Sequence, residues 1–281
     1  MVNQDPSRQM YLESLISNVT GWDNPRQRLA DAFGRDEFIL YHQGIWPVSA
    51  EDSTQTFVEI LVRHQDEERN LTPAGQFLPV IEYFGMLPEL DRWVVRHLLE
   101  WYKVEGRGQS LRFSLNADAL TLSDPELPGY VADHLTRNDS AGDILCFEIP
   151  ESELLACAEK VCPVMKALQQ LGCRIAIGSV GRQSVSFKAI QAIAANFVKI
   201  DGALIRELTR DKVADGKVRA INRVCQSVGI ETVAEFVEDA ETLDRLKVIG
   251  VNYAQGYGLS RPAPLSDLAE LLQARQPDAA T

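Results

Sequence analysis

No apolar run in this sequence approaches the ~18 residues that a membrane-spanning helix needs, and its first residues lack the charged-then-apolar pattern of a secretory signal. These absences point to a soluble protein. The five cysteines, Cys146, Cys157, Cys162, Cys173 and Cys225, show no CxxC spacing and fall in apolar surroundings. That speaks against a disulfide or zinc framework and for reduced, buried thiols in a cytoplasmic protein. Positive charge is also short: 28 Lys and Arg stand against 40 Asp and Glu, a formal charge of -12. An acidic field repels a phosphate backbone, so general nucleic-acid affinity is excluded and any anionic ligand must meet a local cluster of cations. There is no low-complexity tract and no internal repeat beyond a strand-helix unit.

What the sequence does hold is enough apolar material for one sizeable core, 45% of 281 residues. Short β-branched or aromatic runs alternate with longer amphipathic stretches, which predicts an α/β fold with a parallel sheet, here a modified TIM-like (β/α)8 barrel. The eight runs are Glu37–Gln43, Thr56–Val62, Leu111–Asn116, Ile144–Ile149, Cys173–Gly178, Asn196–Ile200, Ile230–Glu235 and Val251–Ala254. Helical spacing links residues such as Leu90, Val94, Leu98 and Trp101, and Gly172, Gly229 and Gly250 stand where C-terminal caps belong. The Gly44–Gln55 connection has no helical pattern, which predicts a hairpin and hence one antiparallel strand. Met10–Val19 is amphipathic, so residues 1–25 read as a helical lead-in or linker, 26–275 as the barrel domain and 276–281 as a frayed tail.

Barrels of this kind build their sites at the C-terminal strand ends. Glu59, Asn116, Glu148, Lys199, Glu235 and Gln255 all lie in or close to the ends of apolar runs. A buried carboxylate costs several kcal/mol unless it is paired or metal-bound, so three glutamates in such places form a candidate site. His42 lies near them and reads better as a packed strand residue.

These residues fall in segments that resemble the EAL domain, the barrel of bacterial cyclic di-GMP phosphodiesterases. The likeness runs from about Leu29 to Leu272. It rests on FILYHQG at Phe38–Gly44, EILVR at Glu59–Arg63, TPAGQFLPVIEYFGML at Thr72–Leu87, DRWVV at Asp91–Val95 and SLN at Ser114–Asn116. FEIPES at Phe147–Ser152, VKID at Val198–Asp201, VAEFVED at Val233–Asp239 and YAQGYGLSRP at Tyr253–Pro262 complete it. The resemblance implies that Glu59, Asn116, Glu148 and Glu235 ligate Mg²⁺ or Mn²⁺, that Lys199 helps position the attacking water, and that Arg63 contacts a ligand phosphate. Oxygen donors without a histidine cluster suit such hard cations.

One segment departs from the family. Where the fifth run should end in DDFG, this chain reads AIGSVGRQS at Ala176–Ser184, so Gly178 and Ser179 replace two metal-binding aspartates. The departure predicts a chain that is not an enzyme, with Glu59 and Lys199 catalytically vestigial and the metal ligands Glu59, Asn116, Glu148 and Glu235 unoccupied. Ligand binding would then need no cofactor, with Mg or Mn required only for residual hydrolysis. The expected ligand-binding residues are Gln43, Leu61, Arg63, Ser179, Arg182, Glu235, Phe236, Glu238 and Gln255. Arg182 would add positive charge, free amides at Ser179–Gly181 would face a phosphate, and Phe236, in place of the usual glycine, would stack on a guanine.

The resulting expectation is a cyclic di-GMP receptor resembling the FimX-type regulators of type IV pili, relaying its state to a protein partner such as a PilZ-domain adaptor. A homodimer is compatible with it. The alternatives are a weakly active Mg- or Mn-dependent phosphodiesterase giving pGpG, and an interaction domain that binds no nucleotide.

Overall fold

In the computed structural model the described residues are 25–49, 55–65, 70–182 and 192–274. The expected lead-in helix and frayed tail lie outside them. Eight strands close a barrel: β1 (Phe38–Pro47), β2 (Thr56–Gln65), β4 (Leu111–Asn116), β5 (Leu145–Pro150), β6 (Arg174–Val180), β7 (Phe197–Ile200), β8 (Glu231–Ala234) and β9 (Tyr253–Ala254). The short strands β3 (Leu71–Pro73) and β10 (Ala263–Pro264) flank it. Pairing is parallel from β2 through β4 to β9, whereas β1 runs antiparallel to both β2 and β9. The hairpin expected from the non-helical connection is therefore the seam that closes the barrel.

The helices cover the outside: α1 (Pro25–Gly34), α2 (Ala74–Tyr83), α3 (Leu87–Trp101), α4 (Leu127–Arg137), α5 (Glu151–Gln170), α6 (Gly202–Arg206), α7 (Lys212–Ser227), α8 (Ala240–Ile249) and α9 (Leu265–Ala274). Gly172, Gly229 and Gly250 have φ of 91°, 73° and 83°, the left-handed conformation that glycine adopts without a Cβ clash when it ends a helix. The main core, including Leu98, Phe113, Phe147, Met165 and Ile221, lies between the strands and these helices.

A second, smaller core fills the barrel itself. Ile45, Phe57, Cys146, Ala176, Phe197 and Val233 pack there against Tyr253. Successive side chains of a strand alternate between faces, so residues two further along point into the same interior. From Phe57 that step leads to Glu59, from Cys146 to Glu148, from Phe197 to Lys199, from Val233 to Glu235 and from Tyr253 to Gln255. An apolar plug thus carries a polar layer on top, at the end where the parallel strands finish. The five cysteines are free. Among the described residues no helix is long and apolar enough to cross a membrane.

Candidate functional site

Lys199 is the hub of the polar layer. Its side chain is 2% exposed, and its ammonium lies 2.9 Å from Glu59 Oε2, 2.9 Å from Glu148 Oε2 and 3.2 Å from Glu235 Oε1. Around it, Asn116 Nδ2 donates to Glu59 Oε1 at 2.6 Å, Gln255 Nε2 to Glu59 Oε2 at 2.7 Å, and the Ser114 hydroxyl to Glu148 Oε2 at 3.2 Å. Gln43 accepts from Gln255 and donates to the Ser260 carbonyl. Each of the six polar strand ends that the sequence marked therefore delivers a side chain to one network.

The charges do not cancel, since three carboxylates face one ammonium. Burial opposes the charge on Lys199, but Glu148, Glu59 and Glu235 outweigh it and hold the ammonium well above the ordinary lysine value. Burial pushes Glu148 up to about 7, with Glu59 and Glu235 adding to the push and Lys199 opposing it. Glu235 is raised for the same leading reason. Burial acts on Glu59 too, yet Lys199, Gln255 and Asn116 overcome it and keep this carboxyl below its usual range. Glu59 is thus the fixed anion of the cluster, and Glu148 is the group nearest to sharing a proton.

The donor chemistry, three carboxylates and an amide oxygen, suits one hard divalent cation. Among the described residues, however, no three such side chains surround a common metal position. Lys199 Nζ lies among the three carboxylates.

At the end of β6 the structure shows how the backbone carries Gly178 and Ser179. Ile177 pairs with Val198 and Val180 with Ile200, so Gly178 and Ser179 together oppose the single Lys199 in a β-bulge. Ser179 takes φ of 53° there. Glu148 fills the space beside Gly178: a Cβ at that glycine would stand 3.3 Å from Glu148 Cδ and nearer still to its Oε1. The amides expected to be free for a phosphate are not all free, because Gly181 N–H donates to Glu151 Oε2 at 3.2 Å. The helical stretch expected after them lies outside the described residues.

Above the polar layer opens a cleft of about 750 Å³, lined by Gln43, Glu59, Leu61, Arg63, Glu235, Phe236, Glu238 and Gln255 together with Arg206 and Tyr257. Seven of the nine expected ligand residues thus meet in one cavity. Ser179 and Arg182 are not in its lining, and Arg182 is exposed. Arg63 lies over Tyr41 with its guanidinium carbon 5.2 Å from the ring centre, and donates to its neighbour Val62 O. His42 points the other way, as its packed reading expected: it is buried, neither ring nitrogen has a partner, and burial lowers its pKa.

Sequence reasoning missed Ser114, Arg206 and Tyr257. Ser114 could have been found, since it shares the strand face of Asn116 two residues on. It also missed Asp91, on α3. Its Oδ2 accepts from the Asp118 amide at 2.9 Å and from the Thr121 hydroxyl at 2.5 Å, pinning the loop that follows Asn116.

A barrel with a glutamate-rich strand end and a lysine at its centre defines a class, and the comparisons with known proteins agree on which. Residues 26–262 match the EAL domain, and the chain belongs to that family. It is 32% identical over 249 residues to the cyclic di-GMP phosphodiesterase PdeB of Shewanella oneidensis, a match that takes in 88% of this chain and 29% of PdeB. The chain thus spans about a third of that relative's length. Its fold superposes on the MucR phosphodiesterase in complex with cyclic di-GMP with a TM-score of 0.78 at 26% identity, covering 87% of this chain and 99% of that one. The FimX EAL domain of Pseudomonas aeruginosa bound to cyclic di-GMP superposes equally well, at 0.79, but is 22% identical over 85% of this chain and 96% of that one, and shares the fold alone.

The relatives overturn one expectation. Gly178 and Ser179 predicted a chain that is not an enzyme, whereas PdeB and the MucR structure are both named phosphodiesterases. Gly178 and Ser179 affect one pair of positions, whereas the barrel still assembles four oxygen-donor side chains and the lysine.

Proposed function

We propose that this chain binds cyclic di-GMP in the strand-end cleft and hydrolyses it slowly, with a divalent cation, to linear pGpG. The observation that carries the reading is the convergence of Glu59, Glu148 and Glu235 on Lys199, with Asn116 bonded to Glu59, directly beneath a cavity that also holds Arg63. Glu59, Asn116, Glu148 and Glu235 would hold one magnesium or manganese ion, which when bound lowers the pKa of a water and offsets negative charge at phosphorus. Arg63 holds a ligand phosphate, and Gln43, Leu61, Gln255 and Glu238 shape the walls around it. Lys199 stays protonated and acts as a fixed cation that orients the attacking oxygen. In the reaction a water oxygen bonds to phosphorus, the P–O3′ bond breaks, and the 3′ oxygen departs with a proton. Turnover is slow because Gly178 and Ser179 supply no carboxylate for a second ion, and this chemistry depends chiefly on charge stabilisation and positioning. The bound state would pass to a protein partner, a PilZ-domain adaptor or a second copy among the candidates, through the cleft rim where Phe236 and Tyr257 are exposed.

Two measurements test this. Titration calorimetry with cyclic di-GMP in EDTA is expected to show binding, and none up to ~100 μM ligand would sink the binding half. Chromatographic assay of pGpG with Mn²⁺ is expected to show turnover by the wild type above that of Glu59→Ala, and equal rates would remove the catalytic half.

A further inference from the structure

We infer that Gly202 and Arg206 are positioning residues that hold the Phe236 ring as a stacking platform for one purine base. The inference rests on the reading that cyclic di-GMP occupies the cleft.

Phe236 is held unusually. Its φ is 57°, in the left-handed region that disfavours a bulky side chain, and the residue is 51% exposed at the cleft mouth. Core packing accounts for neither property. The ring instead has a seat built for it on α6. A Cβ at Gly202 would stand 2.7 Å from Phe236 Cγ and closer still to Cδ2, so any larger residue at position 202 would displace the ring. Arg206, one helical turn further on, lays its guanidinium carbon 4.6 Å from the ring centre. Residues four apart share a helix face, so the bare backbone of Gly202 and the cation of Arg206 both meet the ring from α6.

The exposed part of the ring lies in the cavity that Phe236 shares with Arg63, Arg206, Glu235 and Tyr257. The seat is itself anchored to the site. Asp201 caps α6 by accepting from Ala203 N at 2.9 Å, and it stands two residues beyond Lys199. A flat apolar face presented beside a phosphate-competent arginine fits a nucleobase, because every base offers a π-face to stack.

Calorimetry with cyclic di-GMP on the full chain tests the idea through Phe236→Ala, Gly202→Ala, Arg206→Ala and the pairwise combinations. Each single substitution is expected to weaken binding on the order of tenfold, the scale of one stacked base. In the Phe236→Ala background, Gly202→Ala and Arg206→Ala are expected to add less than about twofold, since both act through the ring. A cyclic dinucleotide carrying 2-aminopurine should have its fluorescence quenched by the wild type and not by Gly202→Ala.

Wild-type affinity in Gly202→Ala and Arg206→Ala would overturn the inference, as would full additivity with Phe236→Ala. Should Gly202→Ala fail to fold by thermal melting, Arg206→Ala and its combination with Phe236→Ala decide alone. Absence of binding by the wild type would instead sink the proposed function, so the two failures are distinguishable.

Discussion

Arg63 and Asn116 sit within the same site but carry different loads. Arg63 reaches the cleft wall over Tyr41, where a ligand phosphate would meet it directly. Asn116 spends its amide on Glu59 Oε1, while Lys199 and Gln255 still hold the other oxygen. In chelator, Arg63→Ala should therefore weaken cyclic di-GMP binding by about tenfold or more, the worth of a charge-assisted hydrogen bond, with Asn116→Ala within about twofold of wild type. The reverse order in calorimetry would mean that a cation supports the ligand. Single residues of this kind were legible where a polar side chain interrupts an apolar strand, as at Glu59, Glu148 and Lys199. Arg206 and Gly202 were not legible. A charged residue ending a short helix looks like any solvated charge, and the need for glycine at 202 arises from a ring 34 positions away, which only the fold brings near.

At the scale of elements, the loop after β4 depends on a neighbour from α3. Asp91 accepts two hydrogen bonds from that loop, yet burial raises its carboxyl to about 7. A carboxyl whose folded pKa lies above its unfolded value of 3.8 binds protons more tightly in the folded state. Its contribution to stability is present at low pH and is lost as pH rises from about 4 to about 7. Asp91→Asn keeps an acceptor oxygen without the charge. Urea unfolding should show the variant gaining roughly 2–4 kcal/mol on the wild type between pH 4.5 and pH 8, and a constant difference across that range would refute the assignment.

The eight barrel strands and the glycine caps were readable because buried parallel strands are near-continuous apolar runs and left-handed caps select glycine. The hairpin was readable from the absence of a helical pattern. The flanking strands β3 and β10 were not, since Leu71–Pro73 and Ala263–Pro264 are short proline-ended segments outside any apolar run. Nor was the bulge at Gly178–Ser179, which is a property of pairing register rather than of either residue.

The whole molecule is strongly acidic, at -12, while its cleft holds Arg63. The far field disfavours long polyanions, and the near field suits a small one. An excess of duplex DNA should therefore leave the fraction of bound cyclic di-GMP unchanged at physiological salt in a competition titration, whereas displacement by DNA would show that the cleft reads phosphate without regard to the rest of the ligand.

The direction of β1 has a consequence at this scale. In an all-parallel barrel the first strand would start at the end remote from the site. Here Phe38 pairs with His64 and Pro47 with Tyr253, so the chain enters the barrel at the cleft end and runs away from it. The turn that leads from α1 into β1 is thus on the ligand-bearing side, and a pull or twist on it would travel along β1 to the seam where Gln43 stands opposite Glu59.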